Sequence, residues 1–141
     1  MSGKKSLDKG KRAEREVVKL LQPVVDDAYQ RKGYEPPLLQ RNLMQSHTGG
    51  YDIAGLEWLA LEVKHHQKPQ VKQWWEQTLG QASDEQEPIL IYKVTGGKWR
   101  VRMHAQLLSN VEDLLVPVDI AVEDFLYYLW HRLARELEYL D

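Results

Sequence analysis

A chain of 141 residues with 43% apolar and 28% charged residues has the size and balance of a soluble globular core, and one domain is expected. Its apolar runs are far too short for a bilayer span, no apolar signal core follows the basic N-terminus, and the absence of cysteine excludes disulfides and thiolate metal sites. The net charge of -2 hides an asymmetry: residues 1–70 hold 12 Lys/Arg against 9 Asp/Glu, and residues 71–141 hold 7 against 12. One basic face is expected, on an otherwise acidic molecule.

Residues 1–12 are polar and lysine-rich and read as a partly mobile basic arm. From Ala13 the positions Val17, Val18, Leu20, Leu21, Val24 and Val25 recur at helical spacing, with a kink or break expected at Pro23. Gly33 and Pro36-Pro37 end that helix. Three short strands follow, Leu38 to Leu43, Tyr51 to Ala54 and Leu59 to Lys64, separated by Gly49-Gly50 and by a tight turn at Gly55. Residues 70–86 return to helical spacing, with Val71, Trp75, Thr78 or Leu79, and Ala82 on one stripe and only one of Trp74 and Trp75 facing the core. Strands at Ile89 to Val94 and Lys98 to Met103 flank the Gly96-Gly97 turn. Lys98, Arg100 and Arg102 give the second of these a basic face, either a track for a polyanion or protection of a sheet edge. A long amphipathic helix over 121–140 closes the chain. Helices and strands interleaved in this way predict an α/β domain with a central mixed β-sheet flanked by helices.

The informative stretch is Gly49 to Lys64. Leu59, Leu61 and Val63 alternate with Ala60, Glu62 and Lys64, so on a strand Glu62 and Lys64 share one face. A short hairpin brings Asp52 beside Glu62. Adjacent carboxylates repel unless a cation neutralises them. Mg²⁺ suits such a pair, because it takes oxygen ligands, keeps waters and polarises a phosphodiester. Lys64 adds a positive charge that orients water or stabilises the transition state. At about 100° per residue, Glu14 falls near Val18, Leu21 and Val25, whereas Glu16 points away. A carboxylate on the buried side of a helix needs a partner.

Asp52-x9-Glu62-Val63-Lys64 resembles the PD-(D/E)xK motif of the restriction-endonuclease-like nucleases. Lys9-Gly10-Lys11-Arg12-Ala13-Glu14-Arg15-Glu16 resembles the first helix of archaeal-type Holliday-junction resolvases. The similarity spans residues 9–64 and continues more loosely to the strand at Ile89. Tyr51 stands where the family has proline, and the acidic C-terminal half is unlike it. The resemblance implies a restriction-endonuclease-like core with Glu14, Asp52, Glu62 and Lys64 as catalytic residues. It further implies Mg²⁺, or Mn²⁺ in its place, held by Glu14, Asp52, Glu62 and Val63. DNA contacts are expected from Lys11, Arg12, Arg15, Arg41, the Ser46-His47-Thr48 loop and His65. The implied protein is a structure-selective endonuclease acting on branched or four-way DNA as a homodimer, in the cytoplasm of a bacterial, archaeal or phage-infected cell. A repair or restriction-type endonuclease and a non-catalytic DNA-binding module of the same fold are the alternatives. The dimer is expected to use the last helix or the surface next to it, the alternative being that this helix completes the core; its stripe of Val122, Leu126, Leu129, Trp130, Leu133, Leu137 and Leu140 is flanked by Phe125, Tyr127, Tyr128 and Tyr139.

Overall fold

The computed structural model describes residues 3–42, 51–108 and 113–139. Its elements run α1 (Gly3–Gln30), β1 (Gln40–Arg41), β2 (Ile53–Ala54), β3 (Leu59–His66), α2 (Val71–Gln81), β4 (Glu87–Val94), β5 (Arg100–Leu107), β6 (Leu114–Ala121) and α3 (Val122–Glu138). The six strands lie in the sheet in chain order. All neighbours pair antiparallel except β3 and β4, which are parallel and joined by α2. This is an α/β fold with a mixed sheet flanked by helices, consistent with a restriction-endonuclease-like core. No helix among the described residues is long and apolar enough to cross a membrane.

Strand alternation sorts side chains onto two faces. Leu61, Val63, Ile89, Ile91, Val101 and Met103 meet α1 and α3 in the main core. There α1 contributes Ala13, Val17, Leu21, Val25 and Ala28, and α3 contributes Val122, Phe125, Leu129, Leu133 and Leu137. Each such large side chain, fully buried, stabilises the fold by roughly 1.5–3 kcal/mol before chain entropy is counted. On the other face, Leu90 and Tyr92 pack under Trp74 and Trp75 of α2. Both indoles are buried, against the expectation that one would be exposed. They splay over different strands: Trp74 lies 6.0 Å from the Tyr92 ring of β4, and Trp75 lies 5.1 Å from the His104 ring of β5.

Other expectations also need correction. Helix α1 starts at Gly3, so the predicted arm is helical; its polar sequence carries no apolar period to reveal this. The helix runs through Pro23, which is exposed, so water can satisfy the carbonyl whose amide partner is missing. Strands β1 and β2 keep only two residues each, and β1 stops short of Leu43, which lies outside the described residues. Strand β6 was not anticipated, because Pro117 in its middle argues against a strand. A proline is tolerated there because β6 is the edge of the sheet. On α3, Phe125 joins the core and Leu126 and Trp130 are only partly buried, while Tyr127 and Tyr139 stay exposed.

The turn that aligns β2 with β3 depends on Gly55. Its φ is +134°, and an added Cβ would lie 2.7 Å from Leu39 Cδ2 and 3.0 Å from the Leu38 carbonyl oxygen. Gly55→Ala should therefore lose about 2–4 kcal/mol through backbone strain and overpacking. A lower urea midpoint at unchanged slope checks this; an unchanged midpoint would show that the turn relaxes freely.

Candidate active site

Ile53 of β2 pairs with Leu61 of β3, which carries the preceding Asp52 toward Glu62. The Asp52 amide donates to the Leu61 carbonyl at 2.7 Å, and its Oδ2 accepts the Val63 amide at 2.6 Å. Asp52 thus spans the residue between those two, Glu62, and the acceptor of a backbone amide is held at a fixed place on the strand. Both carboxylates are buried, Asp52 at 7% and Glu62 at 3% exposure. Lys64, two residues along the same face, places Nζ 3.3 Å from Glu62 Oε1.

These residues line one hollow of about 480 Å³, together with Lys9, Gly10 and Glu14 from α1 and His65 to Lys68 after them. Glu14 sits at the margin of the buried stripe, and its Oε1 accepts Arg41 Nε at 2.8 Å. One predicted DNA contact, Arg41, is thereby turned onto a predicted metal ligand. Among the described residues no three His, Cys, Asp or Glu side chains stand close enough together to form a ready-made metal site. The close pair is Asp52 and Glu62.

Burial and the nearby Asp52 charge raise the Glu62 pKa from 4.5 to about 8, although Lys64 opposes the shift. Glu62 therefore resists ionisation beside Asp52, and a bound cation would offset the repulsion that Lys64 only partly relieves. Two buried carboxylate oxygens beside the Val63 backbone fit Mg²⁺, which is commonly held by one or two carboxylates and completes its shell with water and substrate. The raised pKa also has a sign. Folded Glu62 keeps a proton that the unfolded chain releases, so its contribution to stability is full below about pH 4.5 and declines as pH rises to about 8. In EDTA, the stability difference between wild type and Glu62→Gln should shift by roughly 1.4 kcal/mol per pH unit across that window, against wild type as pH rises. Paired thermal melts test this; a flat difference would contradict it.

The other predicted residues divide. Lys11, Arg12 and Arg15 line an adjoining hollow with Asp8 and Lys9. Arg15 and Arg41 also border a third, with Val18, Lys19 and Gln40. His65 reaches the main hollow, but its Nε2 is buried without a hydrogen-bond partner and its ring meets Trp99 edge-on at 6.1 Å. That nitrogen is not presented to a phosphate. Burial, with Lys9 and Lys93, pushes the His65 pKa down. Ser46, His47 and Thr48 lie outside the described residues. The basic face of β5 is partly neutralised, since Arg102 bonds Asp119 of β6 through Nη2 at 2.6 Å and Nε at 3.1 Å. Glu16, the carboxylate set aside in favour of Glu14, accepts Trp99 Nε1 at 2.9 Å.

Gln77 of α2 also reaches the pair, its Nε2 donating to Glu62 Oε1 at 3.3 Å. The signal was present in its spacing, three residues after the buried Trp74, which turns it toward the sheet.

A family model described as "Phage putative PDDEXK endonuclease" matches residues 5–131. The chain belongs to this family. The phage PDDEXK match runs from the basic start of α1 into α3, so it takes in Glu14, Asp52, Glu62 and Lys64 together with the whole sheet. It places the chain among PD-(D/E)xK nucleases, without reaching the archaeal Holliday-junction resolvases. No match was found among curated proteins or solved structures.

Proposed function

We propose that the protein is a Mg²⁺-dependent DNA endonuclease that hydrolyses phosphodiester bonds at the Asp52–Glu62–Lys64 hollow. The observation that carries this is the buried Asp52–Glu62 pair, with Lys64 3.3 Å from Glu62. Bound there, Mg²⁺ supplies Lewis acidity at the phosphodiester. Asp52, Glu62 and the Val63 main chain hold the ion. Gln77 and the Lys64 ammonium fix the Glu62 carboxylate, and Lys64 also stabilises negative charge as the phosphorus is attacked. Glu14, which borders the same hollow and is held by Arg41 at 2.8 Å, would be free to join the set only with that ion pair released.

The narrower reading is selectivity for branched DNA of the Holliday-junction-resolvase type. It rests on the Lys9 to Glu16 pattern, whose Lys9, Gly10 and Glu14 line the hollow. Paired cuts across a junction need two sites in one particle, which a two-fold dimer supplies. Exposed Tyr127 on α3 and Tyr139 just after it, at 71% and 77% exposure, support a contact on this surface. The test is cleavage of labelled four-way junction, flap and linear duplex side by side, in Mg²⁺ and in EDTA. Junction cut in symmetric pairs, by a protein that sediments as a dimer, is the expected result. Equal cutting of all three leaves a general endonuclease, and no cutting in Mg²⁺ rejects the enzyme.

A further inference from the structure

The lining of the hollow carries both signs of charge: Asp52 and Glu62 supply carboxylates, and Lys9 brings an ammonium from the first turns of α1. Lys9 lines this hollow and also the adjoining one with Asp8, Lys11, Arg12 and Arg15. It stands where a strand leaving the carboxylates for the basic surface of α1 would pass. Its Nζ donates to Thr95 Oγ1 at 3.2 Å, a neutral anchor on the turn after β4 that fixes the ammonium without cancelling its charge. Lys93, in contrast, lies 3.8 Å from the Glu16 carboxylate.

Gly10 is the independent observation. It lies inside a helix, where glycine is less favourable than alanine. Among the described residues no atom beyond its own stretch of helix lies within 4 Å of the place its Cβ would take, and its φ is not positive. Neither packing nor backbone conformation accounts for a glycine there, yet it borders the hollow. An open surface beside an anchored cation suits close approach by a ligand's backbone.

We propose that Lys9 and Gly10 form a second phosphate subsite, which seats a DNA phosphate neighbouring the one being cut. Lys9 supplies the charge and Gly10 the clearance. This rests on the nuclease reading of the same hollow.

Two variants and one modified DNA test it. Gly10→Ala should melt at a higher temperature yet cleave about tenfold more slowly, because the methyl group favours the helix but crowds the strand. Lys9→Gln should slow cleavage about tenfold, the scale of one charge-assisted hydrogen bond, and Lys9→Arg should restore it. In end-labelled DNA carrying a single methylphosphonate, the wild type should lose the cut at one neighbouring bond. Lys9→Gln should show no extra loss at that bond. Gly10→Ala that cleaves like wild type, or melts lower, would overturn the clearance role. A methylphosphonate pattern identical in wild type and Lys9→Gln would overturn the phosphate contact. If the wild type cuts no DNA, the nuclease reading falls alone. The salt dependence of binding in EDTA then decides the subsite: the slope of Lys9→Gln should be smaller by about 0.9, and an unchanged slope rejects it.

Discussion

Glu62→Gln should reduce Mg²⁺-dependent cleavage by at least about a hundredfold while making the metal-free protein more stable above neutral pH. The side chain keeps its shape and can still meet Gln77, which lies 3.3 Å away. What disappears is the carboxylate oxygen that would hold the ion. Lost with it is the charge that the folded protein resists, with the pKa of Glu62 at about 8. A catalytic loss from general misfolding would lower stability too, so the opposite signs separate the two causes. DNA affinity should hold or rise, because one negative charge leaves the path of the phosphates. Purified Glu62→Gln with near-wild-type turnover would falsify the mechanism. Asp52→Asn should also lose cleavage while keeping an oxygen for the Val63 amide. Asp52→Ala should fold less well, since it strands that donor at a cost of about 1–3 kcal/mol.

Lys64→Met should lower cleavage about 10²- to 10³-fold, through lost stabilisation of transition-state charge. The Lys64 ammonium is one of the influences that lower the Glu62 pKa. Its removal should push that pKa higher still and leave less carboxylate at a given pH. Mg²⁺ protection against thermal unfolding should then require a higher pH in Lys64→Met than in wild type. An unshifted profile with slow cleavage would confine Lys64 to the transition state. Unchanged cleavage would remove it from the site.

Asp52, Glu62 and Lys64 were legible because strand alternation and a short hairpin both leave a mark in sequence. A period of two puts Glu62 and Lys64 on one face, and the Ile53–Leu61 pairing brings Asp52 alongside. What the sequence did not reveal is which polar partner each group finds. Nothing local shows that Arg41 bonds Glu14, 27 residues away, or that Asp52 takes the Val63 amide. Both depend on where short strands end. The fold was legible where the apolar period was strong, as in β3 and α3. It was hidden where another rule masked the period: at β6 by Pro117, and in the first turns of α1 by lysines. Trp74 and Trp75 misled because a single buried stripe is a property of a helix on a narrow contact, and α2 covers more than one strand.

The unbroken strand order also bears on how the molecule folds. Each strand pairs with its neighbour in the chain, so the sheet can zip up through local loop closures, the longest being the crossover through α2. Helix α1 is the exception. Trp99 bonds Glu16 across 83 residues, Lys9 reaches Thr95 across 86, and Trp130 bonds Asp27 across 103. Such contacts are the last that entropy allows. Asp52, Glu62 and Lys64 can therefore come together in a nascent sheet, while Lys9 reaches its anchor across 86 residues and Glu14 meets Arg41 across only 27. Weakening the packing of α1, as by Val25→Ala, is expected to speed unfolding more than it slows folding, which stopped-flow kinetics check.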